Sequence, residues 1–360
     1  MEERPLRKND SCGPVPVVRI GAATAVLVNG VCGDPLLHLR LMHRRRSLLF
    51  DLGDPGRLSA RVAHQVSDVF ITHTHADHIG GFLWFLRARI GDLPPCRLYG
   101  PPGLAGQIAG MVGGILWDRI EDRGPRFEVR EWHTDHIRCF RVAAGEGAAR
   151  RVDDLPLTDG VLWRDSDFRV RATQLDHRTP VLAYAWESAL TLKVRRERLD
   201  EMGLKHGRWL MVLKEARAGG RMDEIITTPD GGEHTVAELA ASLLLVDEGQ
   251  KLVYATDFAD TRSNRERLVE LAGGAHSLFC ESSFVLEDAD QAEKTSHLTT
   301  RACAEIANAA EVKQLVPFHF SRRYITRLPE AYREIAGFCP NLLVPQCIRL
   351  TDPDLWESTR

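Results

Sequence analysis

No apolar run in the sequence approaches the roughly 20 residues that a membrane-spanning helix requires. The charged start, MEERPLRKND, is not followed by the apolar core of a signal peptide. A C-x-x-C pair is also missing, which favours free, mostly buried thiols in a reducing compartment over a disulfide framework. The eight cysteines are Cys12, Cys32, Cys96, Cys139, Cys280, Cys303, Cys339 and Cys347. We therefore expect a cytoplasmic protein without a membrane anchor.

The chain also lacks an excess of charge of one sign. Its net charge is −3, so no global basic field attracts nucleic acid, and any such attraction must be local. A hydrophobic content of 44% and a charged content of 27% are ordinary for a globular protein. A length of 360 residues suits one large α/β domain with insertions, so we predict a single domain spanning residues 1–360.

Short apolar segments dominate the chain, and several of them end in a polar residue followed by a helix or a turn. This order predicts sheets whose strand ends converge on one edge, where ligands gather. Between residues 132 and 160 the pattern blurs, and we interpret this stretch as a surface excursion. Residues 193–221 form the one clearly basic segment, with nine Lys or Arg and four acidic residues.

The stretch FITHTHADHIGG, which begins at Phe70, follows an apolar run and contains His73, His75, Asp77 and His78. Alternation along an extended segment points His73 and His75 the same way. Imidazoles and carboxylates are suitable ligands for Zn²⁺ or Mn²⁺. Because one catalytic zinc needs fewer ligands from a single loop, H-x-H-x-D-H indicates two metals that share this loop. The alternative is a solvated, histidine-rich turn.

Three further polar residues end apolar strands and supply the remaining ligands that two ions need. His177 ends FRVRATQLDH, Asp257 ends KLVYATD, and His319 follows QLVPF. Any one of them alone would more often be structural, but together with the histidine cluster they indicate a metal site. A carboxylate such as Asp257 can bridge two cations.

These motifs resemble the metallo-β-lactamase superfamily and, within it, the ribonuclease Z family. LLFDLGDPG is similar to the first aspartate motif, and LDHRTPVLAYAWE is similar to the third-ligand motif. SHLTTRACAEIANAAEVKQLVPFHFSRRY resembles the H-S-T…H-F-S-x-R-Y stretch of that family. The resemblance covers roughly residues 26–324. It implies an α/β fold, a four-layer αββα sandwich, with the basic arm inserted at about 193–221.

The resemblance also implies a binuclear zinc centre, in which Mn²⁺ is an alternative ion. One ion would be held by His73, His75, His177 and Asp257, and the other by Asp77, His78, His319 and Asp257. Asp77 would additionally steer the attacking hydroxide or accept its proton, and His297 would act on the scissile phosphate or the leaving oxygen.

Four more residues are expected to support the substrate or the ligands. Glu281 ends an apolar strand, where it either orients His297 or merely caps the strand. Asp51 is expected to bond a ligand histidine or the loop backbone. Arg322 and Arg323 follow His319 and would hold phosphate, the alternative being ordinary surface charge.

The sequence departs from the family in four places, one of them the mild change to Ala76 where the metal loop of the family commonly has glycine. LVNGVCGDPLLHLRL matches the first loop poorly, Leu298 replaces the serine of H-S-T, and Arg208 replaces a proline at the arm tip. The resemblance implies a homodimer in which this arm grips tRNA. A basic arm still suits phosphate contact, although the segment also fits a charged surface helix.

The leading interpretation is a metal-dependent hydrolase, an endoribonuclease that removes 3′ trailers from precursor tRNA or acts on another RNA 3′ end. The alternative is a hydrolase of this fold that acts on a small ester, lactone or cyclic phosphodiester. A non-catalytic nucleic-acid scaffold is disfavoured because every expected ligand position is filled. Residues 133–160 and 222–240 have no assigned role, and His133 and His136 are alternative ligands that do not end a clear strand.

Overall fold

The structure is a computed structural model that describes residues 13–42, 44–120, 123–189, 191–247 and 249–351. Two compact units are present. The first is built from the chain up to residue 187 and again from residue 250 onward, and the second comprises residues 188–249. Cys12 lies outside the described residues, and the other seven cysteines are buried thiols that form no disulfide with one another, as the sequence predicts.

The first ten strands form one mixed sheet of the first unit. They are β1 (Val17–Ile20), β2 (Ala23–Leu27), β3 (Leu37–Leu41), β4 (Ser47–Phe50), β5 (Val66–Phe70), β6 (Cys96–Gly100), β7 (Arg126–Trp132), β8 (His136–Ala143), β9 (Arg150–Arg151) and β10 (Leu155–Pro156). Strands β4 to β7 run parallel, so their carboxyl ends meet at one edge of the sheet. The metal loop directly follows β5 at that edge.

The prediction of a surface excursion over residues 132–160 is wrong. β8 pairs with β7 along its whole length, and both β9 and β10 pair with β8. Exposed or half-buried arginines alternate with buried residues on β8, including Ile137 and Val142. Such a strand near the sheet margin has one polar face, so its hydrophobic signal in the sequence is weak.

The second sheet of this unit has the strand order β11-β12-β13-β18-β19-β20. Its strands are β11 (Val161–Arg164), β12 (Phe168–Asp176), β13 (Pro180–Ser188), β18 (Lys251–Ala255), β19 (Ser277–Glu281) and β20 (Leu315–Phe318). Strands β18 to β20 are parallel and fully apolar in their interiors, which is typical of strands that are covered on both faces. Their carboxyl ends carry Asp257, Glu281 and His319.

Helices cover the outer faces of both sheets. The first sheet carries α1 (Ala60–Gln65), α2 (Ala76–Ile79), α3 (Phe82–Ala88) and α4 (Leu104–Gly113). The second carries α8 (Arg262–Ala272), α9 (Ala289–Thr295), α10 (Thr300–Ala309), α11 (Leu328–Ala336) and α12 (Gln346–Thr351), with short 3-10 turns at Leu286–Asp288 and Arg322–Tyr324. Phe50 and Phe70 of one sheet pack on Tyr184 of the other in a shared core. This is the predicted αββα sandwich.

The second unit has its own small hydrophobic core. It contains β14 (Thr191–Val194), α5 (Arg196–Glu201), α6 (Trp209–Ala218), β15 (Ile225–Thr227), β16 (Glu233–Thr235), α7 (Val236–Leu243) and β17 (Leu244–Asp247). Leu199, Leu213 and Leu239 are buried in this core. The segment 193–221 forms β14 in part, α5 and α6, so the basic arm of the sequence analysis falls within this unit. None of the helices in the described ranges is both long and apolar enough to cross a bilayer.

A buried arginine ties α1 to α3 in the first unit. Arg89, just after α3, donates to the carbonyl oxygens of Ala63 and Val66 (3.2 and 3.0 Å) and to that of Pro94 (2.6 Å). Replacing Arg89 with methionine leaves these carbonyls unbonded, so we expect the free energy of unfolding to fall by about 3 kcal/mol. Chemical denaturation measures this, with Arg87→Met on the exposed side of the same helix as the control. Equal stability of the two variants would contradict the prediction.

Candidate metal centre

The ends of four strands converge on one cleft of the first unit. The loop after β5 carries His73 and His75, and α2 begins at Ala76, which places Asp77 and His78 in its first turn. β12 ends just before His177, β18 ends two residues before Asp257, and β20 ends just before His319. Because parallel strands end at a common edge, residues far apart in the sequence meet there.

Three of the polar residues at this edge have an unusual backbone conformation. Asp51, Asp257 and His319 have φ values of 59°, 56° and 58°, in the left-handed region that disfavours residues with a Cβ atom. Such conformations persist where the surrounding structure holds them, and they cluster at functional sites. Each of the three follows the end of a strand, and the turn directs the side chains of Asp257 and His319 into the cleft and that of Asp51 beneath the metal loop.

The first group of candidate ligands comprises His73, His75, His177 and Asp257, whose ligating atoms all lie within 4.8 Å of one another. Nε2 of His73 is 2.9 Å from Nδ1 of His75 and 3.8 Å from Oδ2 of Asp257. Nε2 of His177 lies 3.9 Å from the same carboxylate oxygen. Three imidazoles and one carboxylate therefore face a common point.

The second group comprises Asp77, His78, His319 and the same Asp257, again within 4.8 Å. Oδ2 of Asp77 is 3.5 Å from Nε2 of both His78 and His319. Oδ2 of Asp257 is 3.3 Å from Nε2 of His78, and its Oδ1 is 3.2 Å from Nδ1 of His319. The Asp257 carboxylate thus lies between the two groups.

The donor set fits divalent ions that take nitrogen and oxygen ligands. Nε2 of His78 is fully buried and has no hydrogen-bond partner in the described part of the chain, a costly state that a metal bond would relieve. His177 donates through Nδ1 to the carbonyl oxygen of Ser296 at 2.8 Å, which leaves Nε2 for a metal. Seven residues in two groups can hold two ions.

The electrostatics of the cleft favour cations. Burial, together with the neighbouring His78, lowers the pKa of His73 to about 2, so this imidazole is neutral and can ligate. Burial alone would raise the pKa values of Asp77 and Asp257, but the surrounding imidazoles outweigh it and hold both values below the ordinary range. Two carboxylates are therefore ionised beside one another, an arrangement that calls for positive charge.

Asp51 lies beneath the metal loop and is completely buried. Its carboxylate accepts from the backbone N–H of Thr72 at 2.7 Å and from the hydroxyl of Tyr254 at 3.0 Å. Oδ2 is also 3.0 Å from Nδ1 of His78. Asp51 thereby fixes both the loop backbone and the orientation of one candidate ligand.

His297 lies beside the second ligand group. Its Nδ1 is 2.9 Å from Oε2 of Glu281, which also accepts from the Ser283 hydroxyl at 2.8 Å and from the backbone N–H of Leu298. Burial would lower the pKa of His297, but the Glu281 carboxylate outweighs it and raises the pKa to about 9. The ring therefore carries a proton at neutral pH, with Nε2 available to another group.

The two arginines have different surroundings. Arg322 is exposed, bonds Asp34 at 2.9 Å, and lines a cavity of about 340 Å³ together with Asp77, His297 and His319. Arg323 instead lies over the ring of Phe284 and 3.7 Å from Asp288.

The alternative ligands His133 and His136 stack on each other between β7 and β8. Within the described ranges, neither belongs to a group that could hold a metal.

Several supporting residues have no sequence signal. The hydroxyls of Thr72, Tyr254 and Ser283 each contact a predicted site residue, yet all three lie in ordinary strand-end contexts. Ser296 contributes only its carbonyl oxygen and has a φ of 63°. Such contacts depend on which strands become neighbours, and one sequence does not reveal that.

Two segments of the chain match known families. Residues 45–144 match the Metallo-beta-lactamase superfamily, and residues 216–320 match the Beta-lactamase superfamily domain. A Ribonuclease Z of Deinococcus radiodurans is 31% identical over 289 residues, covering 77% of this chain and 83% of that protein. A Ribonuclease Z of Microcystis aeruginosa is 28% identical over 294 residues, covering 80% and 79%. The solved structure of the short form of human tRNase Z aligns with 86% of this chain and 93% of its own, at 18% identity and a TM-score of 0.48.

Proposed function

The chain belongs to the ribonuclease Z family of the metallo-β-lactamase superfamily, and on that premise we propose that it removes 3′ trailers from precursor tRNA by endonucleolytic cleavage. The observation that carries the proposal is the pair of ligand groups that share Asp257. A site of this kind suits in-line hydrolysis of a phosphodiester.

We propose that the seven residues of the two groups hold two divalent ions, with Zn²⁺ favoured and Mn²⁺ as the alternative. Their imidazole and carboxylate donors are the ligand types that zinc takes. When bound, such ions act as Lewis acids toward the phosphodiester and lower the pKa of water. The low pKa values of Asp77 and Asp257 keep both carboxylates ready to ligate.

The residues around the ligands supply proton transfer and orientation. The Asp77 carboxylate steers the attacking hydroxide, or accepts its proton, at the edge of the cleft. His297, protonated through its pairing with Glu281, donates from Nε2 to the leaving 3′ oxygen of the tRNA. Glu281 holds the ring in place because its other oxygen accepts from the backbone N–H of Phe258 at 2.6 Å. Arg322, beside His319, contacts a substrate phosphate.

Residues 188–249 supply the candidate RNA-gripping element. Lys205, His206 and Arg208 are exposed in the segment before α6, within the basic stretch 193–221. Neutralising RNA phosphates with such side chains gives salt-dependent binding without base specificity. We propose that this unit takes the place of the family's tRNA-binding arm despite the loss of its proline.

The test is cleavage of a 3′-extended precursor tRNA by the zinc-loaded protein. We expect a single cut after the discriminator base, a 3′-hydroxyl on the tRNA, and loss of cleavage by about a thousandfold or more in Asp77→Ala. If the wild type leaves the precursor intact but hydrolyses a small ester or phosphodiester, the tRNA function is wrong and the small-substrate alternative replaces it.

The support that Asp51 gives to the metal loop yields a separate prediction. Asp51→Asn weakens the bonds to Thr72, Tyr254 and His78, so we expect the affinity for the more weakly held ion to fall by about 10–100-fold. Chelator competition monitored by metal content measures it. Tyr254→Phe removes only one of these bonds and should lower the affinity less. Unchanged metal affinity in Asp51→Asn would refute the assigned role.

The homodimer and the cytoplasmic location are inferred from the family resemblance and from the reduced cysteines. Sedimentation equilibrium of the zinc-loaded protein measures the first, and fractionation of the cells that express the protein measures the second. A monomer that cleaves precursor tRNA would rule out an arm supplied by a partner subunit.

A further inference from the structure

A cleft beside His297 has no part in the chemistry proposed above. It lies among α8, α9 and α10 and encloses about 540 Å³, within the range of ligand pockets of about 300–1,000 Å³. We call it the Arg265 cleft. Its charged and titratable lining residues are Asp260, Arg265, Glu293, His297, Arg301 and Glu305.

Both walls of the cleft are attached to candidate metal ligands. On one side, Asp260 follows Asp257 by three residues, and the buried Asn264 bonds the carbonyl oxygens of Asp176 and Ala259 at 2.9 and 2.8 Å. On the other side, the Ser296 carbonyl accepts from His177, and His297 is the next residue. A group bound in the cleft is therefore held at a fixed position relative to the cleavage site.

The charges in the cleft do not suit a phosphate group. Arg265 makes a two-point pair with Asp260 and bonds Glu305 at 2.8 Å. Arg301 bonds the other oxygen of Glu305, also at 2.8 Å. The side chain of Glu293 forms no ion pair or hydrogen bond with the described residues. Three carboxylates face two guanidinium groups and the His297 ring, so the cleft has no excess of positive charge, and its carboxylates favour a ligand that donates hydrogen bonds.

The remaining surface suits a planar group. Ala289, Ala292 and Ala302 give the cleft an apolar wall. The carboxylate partners fix the planes of Arg265 and Arg301, and Arg301 additionally packs over the ring of Phe338 at 5.5 Å. Unpaired nucleobases stack on guanidinium planes of this kind in single-stranded RNA recognition. Flatness, apolar contact and hydrogen-bond acceptors together describe a pocket for a nucleobase.

We propose that the Arg265 cleft binds the base of a nucleotide that flanks the scissile phosphate, and that it prefers adenine or cytosine to uracil. The exocyclic amino groups of adenine and cytosine donate to a carboxylate, whereas uracil places the acceptor O4 at that position. The inference rests on the proposed RNA cleavage, because it names the part of the substrate that this cleft selects.

The test uses precursor tRNAs that differ only in the nucleotide before the cut or only in the one after it, each as A, C or U. We expect wild-type kcat/KM to favour A and C over U by about tenfold at one of the two positions. Glu293→Gln and Glu305→Gln should reduce this ratio to below about threefold, since an amide also donates. Glu270→Gln, an exposed change elsewhere on α8, should keep the wild-type ratio.

Glu293→Gln keeps the test decisive if Glu305→Gln disturbs folding, because Glu293 is exposed and unpaired among the described residues. Equal cleavage of all precursors by the wild type would overturn the inference, and so would a base preference that survives in Glu293→Gln and in a folded Glu305→Gln. Both results leave RNA cleavage intact. If the wild type cuts none of the precursors, the proposed function and the inference both fall.

Discussion

Replacing Asp257 with alanine is expected to abolish stoichiometric binding of both metal ions and to lower kcat/KM for precursor tRNA by about 10⁴-fold or more. The reason is its position between the two ligand groups, with one oxygen 3.8 Å from Nε2 of His73 in the first group and the other 3.2 Å from Nδ1 of His319 in the second. Without this carboxylate, little negative charge would lie between the two cations, and their mutual repulsion would oppose binding. Metal content by mass spectrometry and the thermal shift on zinc addition measure the loss independently of activity.

Asp176→Ala is the matched control for this experiment. Asp176 is exposed, and its structural contacts run through its backbone, which the substitution preserves. It should bind two ions and retain activity within about twofold, as surface substitutions usually do. Retention of two ions per chain by Asp257→Ala would show that this residue does not link the groups.

Replacing His297 with alanine should lower kcat about a thousandfold while metal content stays unchanged, because loss of a general acid costs about 10²–10⁴-fold. The ring is not needed to complete either four-residue ligand group, and its proton is stabilised by Glu281 at 2.9 Å. KM should change little, since an interaction made only in the transition state affects kcat. Single-turnover cleavage of a precursor tRNA measures the chemical step directly.

A second variant, made at Glu281, separates proton donation by His297 from the packing of its ring. Glu281→Gln keeps the shape of the side chain but removes the charge that raises the pKa of His297 to about 9. The pKa of His297 in the folded variant should then be lower. As the pH rises, the activity of Glu281→Gln should therefore decline at a lower pH than that of the wild type. A pH profile that is superimposable on the wild type, or loss of metal in His297→Ala, would contradict the role.

The metal loop and the core strands were predictable because their signals are local. His73, His75, Asp77 and His78 lie within six residues, the apolar runs before Asp257 and His319 are short, and the segment before His177 alternates between apolar and polar residues. Burial of parallel strands on both faces gives such runs, and strand ends gather ligands. The family resemblance then indicated which of these residues share an ion, which the pattern of one sequence does not contain.

The supporting contacts and the sheet margin were not predictable for physical reasons. Thr72 reaches Asp51 because β5 pairs with β4, and Tyr254 reaches it because β18 lies in the facing sheet, and both are tertiary facts. β8 was missed because the arginines on its polar face weaken the hydrophobic signal of the segment. Arg322 and Arg323 are adjacent in the 3-10 turn, yet of the two only Arg322 lines the cavity beside His319. The side chain of Arg323 lies over the ring of Phe284 instead.

The left-handed backbone at Asp51, Asp257 and His319 has a consequence for how this gene would decay. At Asp257 and His319 the left-handed backbone costs on the order of 1 kcal/mol that glycine would spare, so the chemistry of the site maintains these two residues against a small stability gain, whereas Asp51 is also held by its buried hydrogen bonds. In a lineage released from selection for RNA processing, the codons of Asp257 and His319 should drift toward glycine before the core strands erode. Such substitutions in otherwise intact descendants would therefore mark pseudoenzymes that still fold.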